Sequence, residues 1–415
     1  METIDEVNEN FNEKKPKNKG LLVGGIIALI IVVSLALVYF LVLTKPEFIF
    51  GKAIDKIFEV QSEDYNSIKM GANIKASIDA NDTSMQAQLA EVEKYSVKVG
   101  AQMDVKAKQE IVELGLEYDN KSVIDAQIYY NNGDMYTYFE GIFDKYIQID
   151  TDEETKQQMN EIFEMASPGK SKDAEKVTKI IRDEIKTQIK ELGEFEKNKT
   201  TISVGKNEEK VNKWTLILSQ KQLYTAISNI CTNLAENKDV LELYKDEEFG
   251  DNLKKIATSV KEAKQDSIKD VEISLYTKGL LNKLVAVDLE IDSAEEANTI
   301  IISFIKENEN SYSYKISVKM EAGKVDMVKG KIEIQKEKDS NQEQSGKTII
   351  TAEVFQMGDA KIEIDYSAEY DKGIDSIDTS KSINMSNLTQ IDLTTIMQNL
   401  MTRPLIGELI SSQMN

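Results

Sequence analysis

One stretch constrains this chain before any other. Leu21 to Leu43, LLVGGIIALIIVVSLALVYFLVL, carries no charged residue. As a helix rising about 1.5 Å per residue it would reach about 34 Å, slightly more than the ~30 Å hydrocarbon core of a bilayer. The sequence therefore predicts a transmembrane helix over 21–43, with a tail over 1–20 before it and a large domain over 44–415 beyond it.

The lysines flanking this run set its expected direction. Glu2, Asp5, Glu6, Glu9 and Glu13 precede a tight cluster, Lys14, Lys15, Lys17 and Lys19, whereas Lys45, Lys52 and Lys56 beyond the run are dispersed. Lysines packed against a span favour the cytoplasmic side, so the tail is expected inside and the domain outside, in a single-pass protein of the cell membrane. Val42, Leu43, Thr44, Lys45 and Pro46 offer no small-residue cleavage site and no lipobox cysteine, which reads as an uncleaved signal anchor. Gly20, Gly24 and Ala28 recur four apart, a small-residue row through which two such helices could pair into a homodimer.

Composition excludes more than it suggests. The net charge is −21, and almost all of it falls beyond the apolar run, so nucleic acid and anionic headgroups are poor partners. Arg182 and Arg403 are the only arginines, which leaves almost no planar bidentate recognition of phosphate or carboxylate. There is no histidine, so no Ser-His-Asp triad, Cys-His pair or His-ligated metal can be built from this chain. Cys231 is the one cysteine, and Leu223, Ile227, Ile230 and Leu234 share its helical face, which reads as a buried thiol. The Lys, Ile and Asn bias resembles coding from an AT-rich bacterial genome.

Past Pro46, which suits the first turn of a helix, Phe50, Ile54, Ile57 and Phe58 recur at helical spacing. From Tyr65 the period becomes two. Ile68 to Ala80, Tyr95 to Val105, Val112 to Tyr118 and Ile124 to Tyr130 alternate apolar with polar residues, and the turns at 119–121 and 131–134 are short enough to demand antiparallel neighbours. Helical patterns over 152–165 and 172–197 follow, then a strand pair over 200–204 and 211–218 holding Trp214, then helices over 220–244 and 249–264. A second alternating block opens at Asp270, and an amphipathic helix closes the chain before Pro404. The two blocks read either as a diverged duplication, with subdomains over 44–245 and 246–415, or as one long sheet. The fold class expected is α+β: a transmembrane helix followed by a large antiparallel sheet of incomplete-barrel-like meanders, with helices packed on one face.

Motifs of chemistry fail on their surroundings. Gly169-Lys170-Ser171 and Gly346-Lys347-Thr348 lack the further glycine and the strand-to-helix setting of a phosphate loop. Asp150, Asp152, Glu154 and Glu161 match a calcium loop except at Lys156, where glycine is needed, and Thr151 with Glu154 reads instead as a capping box. Ser167 with Lys170 and Ser203 with Lys206 have the S-x-x-K spacing without its companion elements. No catalytic residue, cofactor or metal ligand is assigned, and the ligand-binding residues are unknown at this stage.

What remains is the apolar strand face, rich in Met, Ile and Tyr, with helical segments long enough to lie across it. From about Pro46 onward this arrangement resembles the Lol-type lipoprotein carriers and related lipoprotein-like envelope binding proteins. The resemblance implies an incomplete antiparallel barrel closed by helices around a hydrophobic cavity. It is one of architecture, without a diagnostic motif. The function expected is an extracytoplasmic binding protein for a lipid-like molecule or envelope component; the alternatives are a scaffold for protein–protein contacts at the cell surface and a carboxylate-dependent envelope hydrolase.

Overall fold

A computed structural model describes residues 46–57, 65–83, 86, 89–166, 171–244, 247–263, 268–279, 282–293, 298–320, 322–340 and 342–406. The apolar run 21–43, the lysine cluster before it and the row Gly20, Gly24 and Ala28 lie outside the described residues. So does Gly169-Lys170.

After helix α1 (Pro46–Ile57) the chain forms β1 (Ser67–Ala80), β2 (Tyr95–Asp104), β3 (Gln109–Tyr118), β4 (Lys121–Asn131), β5 (Asp134–Phe139) and β6 (Ile147–Ile149). Asp119 and Asn120 at φ 52° and 58°, and Asn132 and Gly133 at φ 47° and 108°, make the expected tight hairpins. Helices α2 (Glu153–Ala166) and α3 (Ser171–Leu192) lead into the hairpin β7 (Glu194–Val204) and β8 (Asn207–Ser219). Helices α4 (Gln220–Glu236), α5 (Lys238–Tyr244) and α6 (Glu247–Glu262) come next. The second meander is β9 (Ile268–Lys278), β10 (Lys283–Ser293), β11 (Thr299–Asn308), β12 (Ser311–Met320), β13 (Gly323–Asp339), β14 (Glu343–Val354) and β15 (Gly358–Tyr370). A strap leads from it to the short β16 (Ile383–Asn384) and helix α7 (Gln390–Met401).

The sixteen strands of the described residues belong to one sheet, in the order β16-β6-β5-β4-β3-β2-β1-β15-β14-β13-β12-β11-β10-β9-β8-β7. The joint is β1, whose two edges pair with β2 on one side and with β15 on the other, both antiparallel and in unbroken register. This corrects the expected fold class. The dominant element is one continuous sheet, α1, α3 and α4 cover one end of it rather than a whole face, and no described helix is long and apolar enough to cross a membrane. The reason lies in connectivity: α3 to α6 are inserted on either side of the β7–β8 hairpin and stay where their short connections leave them.

At that end the packing is solid. Ile49, Phe50, Ala53 and Ile54 of α1 meet Trp214, Leu216, Leu218, Leu275, Leu284 and Val287 of the sheet, with Ile185, Ile189 and Leu192 of α3 and Leu223 of α4 around them. Each such side chain contributes roughly 1.5–3 kcal/mol by leaving water. Gly193 lets α3 land directly on β7, because a Cβ there would collide with Leu216 and with the carbonyl of Ile189. The expected helix over 172–197 therefore ends at Leu192, and Phe195 already pairs with Leu216 in the sheet. Above this layer Val177, Cys231, Leu234, Ala235, Val240, Leu253 and Ala257 form a helix–helix core. Burial pushes the Cys231 thiol pKa up, as befits an inert core thiol. Helix α4 opens on a capping box: Ser219 Oγ accepts from Gln222 N (3.3 Å) and Gln222 Oε1 accepts from Ser219 N (2.7 Å). The expected box at Thr151 is replaced: Asp152 Oδ1 accepts from Thr155 N (2.8 Å), while Thr151 Oγ1 donates to the carbonyl of Gly133 (2.6 Å).

Candidate functional site

Strand alternation gives the sheet one apolar and one polar face, and the register shows how far each extends. On the apolar side Ile74 aligns with Val97, Leu116 and Ile124 in one direction and with Ile364, Thr348 and Ile334 in the other. The next row runs through Ala72, Val99, Leu114 and Ala126, and another through Ala76, Ile362, Ile350, Ile332 and Tyr312. Charged side chains enter these rows only at their far ends, at Lys336 beyond Gly346 and at Lys306 beyond Tyr312. The helices that bury the same face at β7 to β10 stop short of them.

The consequence is a broad apolar span with no cover among the described residues. Leu114 is 51% exposed, Met70 49%, and Ile128, Val97, Val99, Ile300 and Ile362 are exposed as well. Only its corner is capped, where Phe163 of α2 stacks on Tyr130 at 5.8 Å. Two glycines keep the span smooth. Tyr314 crosses its neighbour Gly330 to donate to the carbonyl of Thr351 (2.9 Å), and Tyr366 lies over Gly346. A Cβ at Gly330 would strike both the Thr351 carbonyl and the Tyr314 ring. Two broad hollows among the described residues lie on the opposite, polar face, and neither is the hydrophobic cavity implied by the carrier resemblance.

The first hollow, about 890 Å³, lies where the sheet curls so far that β7 returns against β11. Ile202 and Ile305 close there over Val211, Tyr276, Val285 and Ala286. Tyr276 donates to Asp288 (2.6 Å), and burial, then the Asp288 charge, push the phenol's pKa far up, so it stays protonated. The row Lys315, Lys329, Glu353, Asp359 and Asp79 crosses this hollow. Its charges are compensated within the sheet, by Lys329 with Glu353 (2.9 Å), Lys331 with Glu307 (2.9 Å) and Lys361 with Glu363. Such solvated pairs hold neighbouring strands in place and leave little for a ligand. The second hollow, about 1070 Å³, spans β13 to β5 across β1.

Sequence reasoning found the residues of the apolar rows but expected helices over them. The residues expected to act in the membrane, Gly20, Gly24 and Ala28, and the orienting Lys14, Lys15, Lys17 and Lys19, lie outside the described residues. Gly346-Lys347-Thr348 lies inside β14, which bears out its rejection as a phosphate loop. Trp214, fully buried with its Nε1 donating to Thr277 Oγ1 (2.8 Å), is core as expected.

No family model and no curated protein matches this chain. Among solved structures, a DUF1329 family protein from Desulfovibrio piger ATCC 29098 is similar over 80% of this chain and 96% of its own, at 9% identity and a TM-score of 0.21. At that score it lends nothing to a functional reading.

Proposed function

We propose that this chain is a binding protein that takes an apolar, lipid-like ligand on the uncovered sheet face and catalyses no reaction. One observation carries the reading: regular, inward-phased strand residues such as Val99, Leu114 and Ile128 are left open to solvent. A contiguous apolar face of this breadth is larger than soluble monomers ordinarily expose. Hydrocarbon suits it better than a polar partner, because its rows offer almost no hydrogen-bonding group and the Tyr314 hydroxyl is already engaged. Extracytoplasmic placement belongs to the same proposal and is supported by the lysine asymmetry of the sequence.

A scaffold role is the second reading, favoured by the openness of the face. Eight strands spaced about 4.8 Å apart, with about five outward residues each at about 6.8 Å, give roughly 900 Å². Two copies facing each other would then bury a standard protein–protein interface. Native mass spectrometry with lipid extraction of the full chain separates the two. A lipid at fixed stoichiometry, absent from Leu114→Glu, is the expected result. A lipid-free dimer that Leu114→Glu makes monomeric would establish the scaffold, and a lipid-free monomer would overturn both.

A further inference from the structure

The second hollow of the polar face has a floor that the sheet itself does not require. Tyr138, Gln127, Glu113, Gly100, Gly71, Ser367 and Ser345 are direct cross-strand neighbours on seven consecutive strands from β5 to β14. The last four are small, and at about 4.8 Å per strand the three from Gly71 to Ser345 clear a channel roughly 10 Å long, while Glu113 folds its carboxylate over Gly100. A Cβ at Gly71 would meet only Ser367 Oγ at 3.6 Å and a carbonyl at 3.8 Å, which is ordinary contact. At Gly100 and Gly115 its closest neighbours would be the carboxylate oxygens of Glu113 and Asp125, each at 2.7 Å. Glycine inside a strand weakens it, and its common use is to let another group approach the backbone.

The walls are as specific as the floor. Tyr138 and Tyr146 stack at 4.9 Å and 28°, both half-buried. The Tyr146 hydroxyl donates to Gln127 Oε1 (2.6 Å), and Gln127 Nε2 donates to Glu113 Oε1 (3.1 Å). In the adjoining row Asp125, Gly115, Lys98, Asn73 and Asp365 are neighbours. Asn73 Oδ1 is buried with no hydrogen-bond partner among the described residues, and Asp125 and Glu140 share the charge of Lys98, whose hydrogen bond goes to Glu117. The lysines that face the hollow are engaged, Lys98 by Glu117 and Lys69 by Asp375 (2.7 Å). The site therefore offers the carboxylates of Glu113, Asp125 and Glu140 beside an aromatic wall.

We infer that this channel binds an oligosaccharide bearing free amines. Carboxylates in excess of the lysines that face them select hydroxyl and ammonium groups and exclude phosphorylated or acidic sugars. A flat floor against stacked tyrosines selects a ring over a flexible polyamine. The site is on the face opposite the apolar span and does not depend on the lipid reading.

Titration calorimetry of the full chain with a β-linked glucosamine tetramer tests it, with the N-acetylated tetramer and spermidine as comparators. The expected result is saturable binding of the glucosamine tetramer, at least about tenfold tighter than that of either comparator. Tyr138→Ala and Asp125→Asn should each weaken it about fivefold or more with unchanged circular dichroism. Leu114→Glu should leave it intact, so loss of lipid binding and loss of sugar binding are separable. Absence of binding at millimolar tetramer would overturn the inference. So would equal affinity for spermidine with indifference to Tyr138→Ala, because bare negative charge would then be the whole attraction.

Discussion

Strands β8 and β3 carry the same kind of pattern and meet opposite fates. In β8, Trp214, Leu216 and Leu218 alternate with polar residues; in β3, Val112, Leu114 and Leu116 do so. Leu216 is 0% exposed beneath α1 and α3, and Leu114 is 51% exposed. Alternation therefore reports which residues share a face, and says nothing of whether another layer lies on it. A helix about 10 Å wide covers about two strands, so the three helices seated over the β7–β10 end shield about six of the sixteen described strands at most.

The difference can be measured. Trp214→Ala should cost about 3–5 kcal/mol in urea denaturation, through the cavity and through the lost donor to Thr277, whereas Leu114→Ala should stay within about 0.5 kcal/mol. Comparable losses at the two positions would mean that the span is covered after all. Gly330→Ala should follow at about 1–3 kcal/mol, because the span's smoothness at Tyr314 rests on a missing Cβ; a neutral result would remove that account. Ser219→Ala, which uncaps α4 over the covered end, should cost about 1 kcal/mol in the same measurement.

The smallest effect belongs to Glu363 in the uncovered half. Lys347 and then Lys361 hydrogen-bond to it and hold its carboxyl at about 2 against an ordinary 4.5. A depressed carboxyl pKa stabilises the fold fully above the unfolded value and loses that contribution as pH falls from about 4.5 towards 2. Glu363→Gln should melt slightly below the parent at pH 6, by about 1 kcal/mol or less, and the gap should close by pH 2. A gap that persists in acid would trace the effect to packing instead.

Much of this architecture was legible in the residues. The first four strands, their turns, the Trp214 core, the buried Cys231 and the closing helix stand where their patterns predict. Strands β11, β13 and β14 were harder to read. In β11 Ile300, Ile301 and Ile302 run together and hide the alternation, and the charge-rich β13 carries two register shifts. The channel was half visible, since Gly71, Gly100 and Gly115 all occupy polar phases of their strands. Their convergence depends on register, which is fixed by pairings between residues far apart in sequence. The breadth of the bare span was hidden for the same reason: nothing local in β1 announces β15 as its neighbour.

That pairing also sets a timetable. Asn66, just before β1, bonds Asp371, just after β15, across 305 positions of sequence. At about 5–20 residues per second, synthesis of the intervening chain takes on the order of 15–60 s. Through that interval β1 has left the ribosome with one edge unpaired and its apolar side bare, a template for any passing strand. Biogenesis of this protein therefore includes a waiting period in which the nascent N-terminal half is open to wrong strand pairing. Any slowing of translation between β6 and β15 lengthens the exposure and raises the share of chains lost to aggregation.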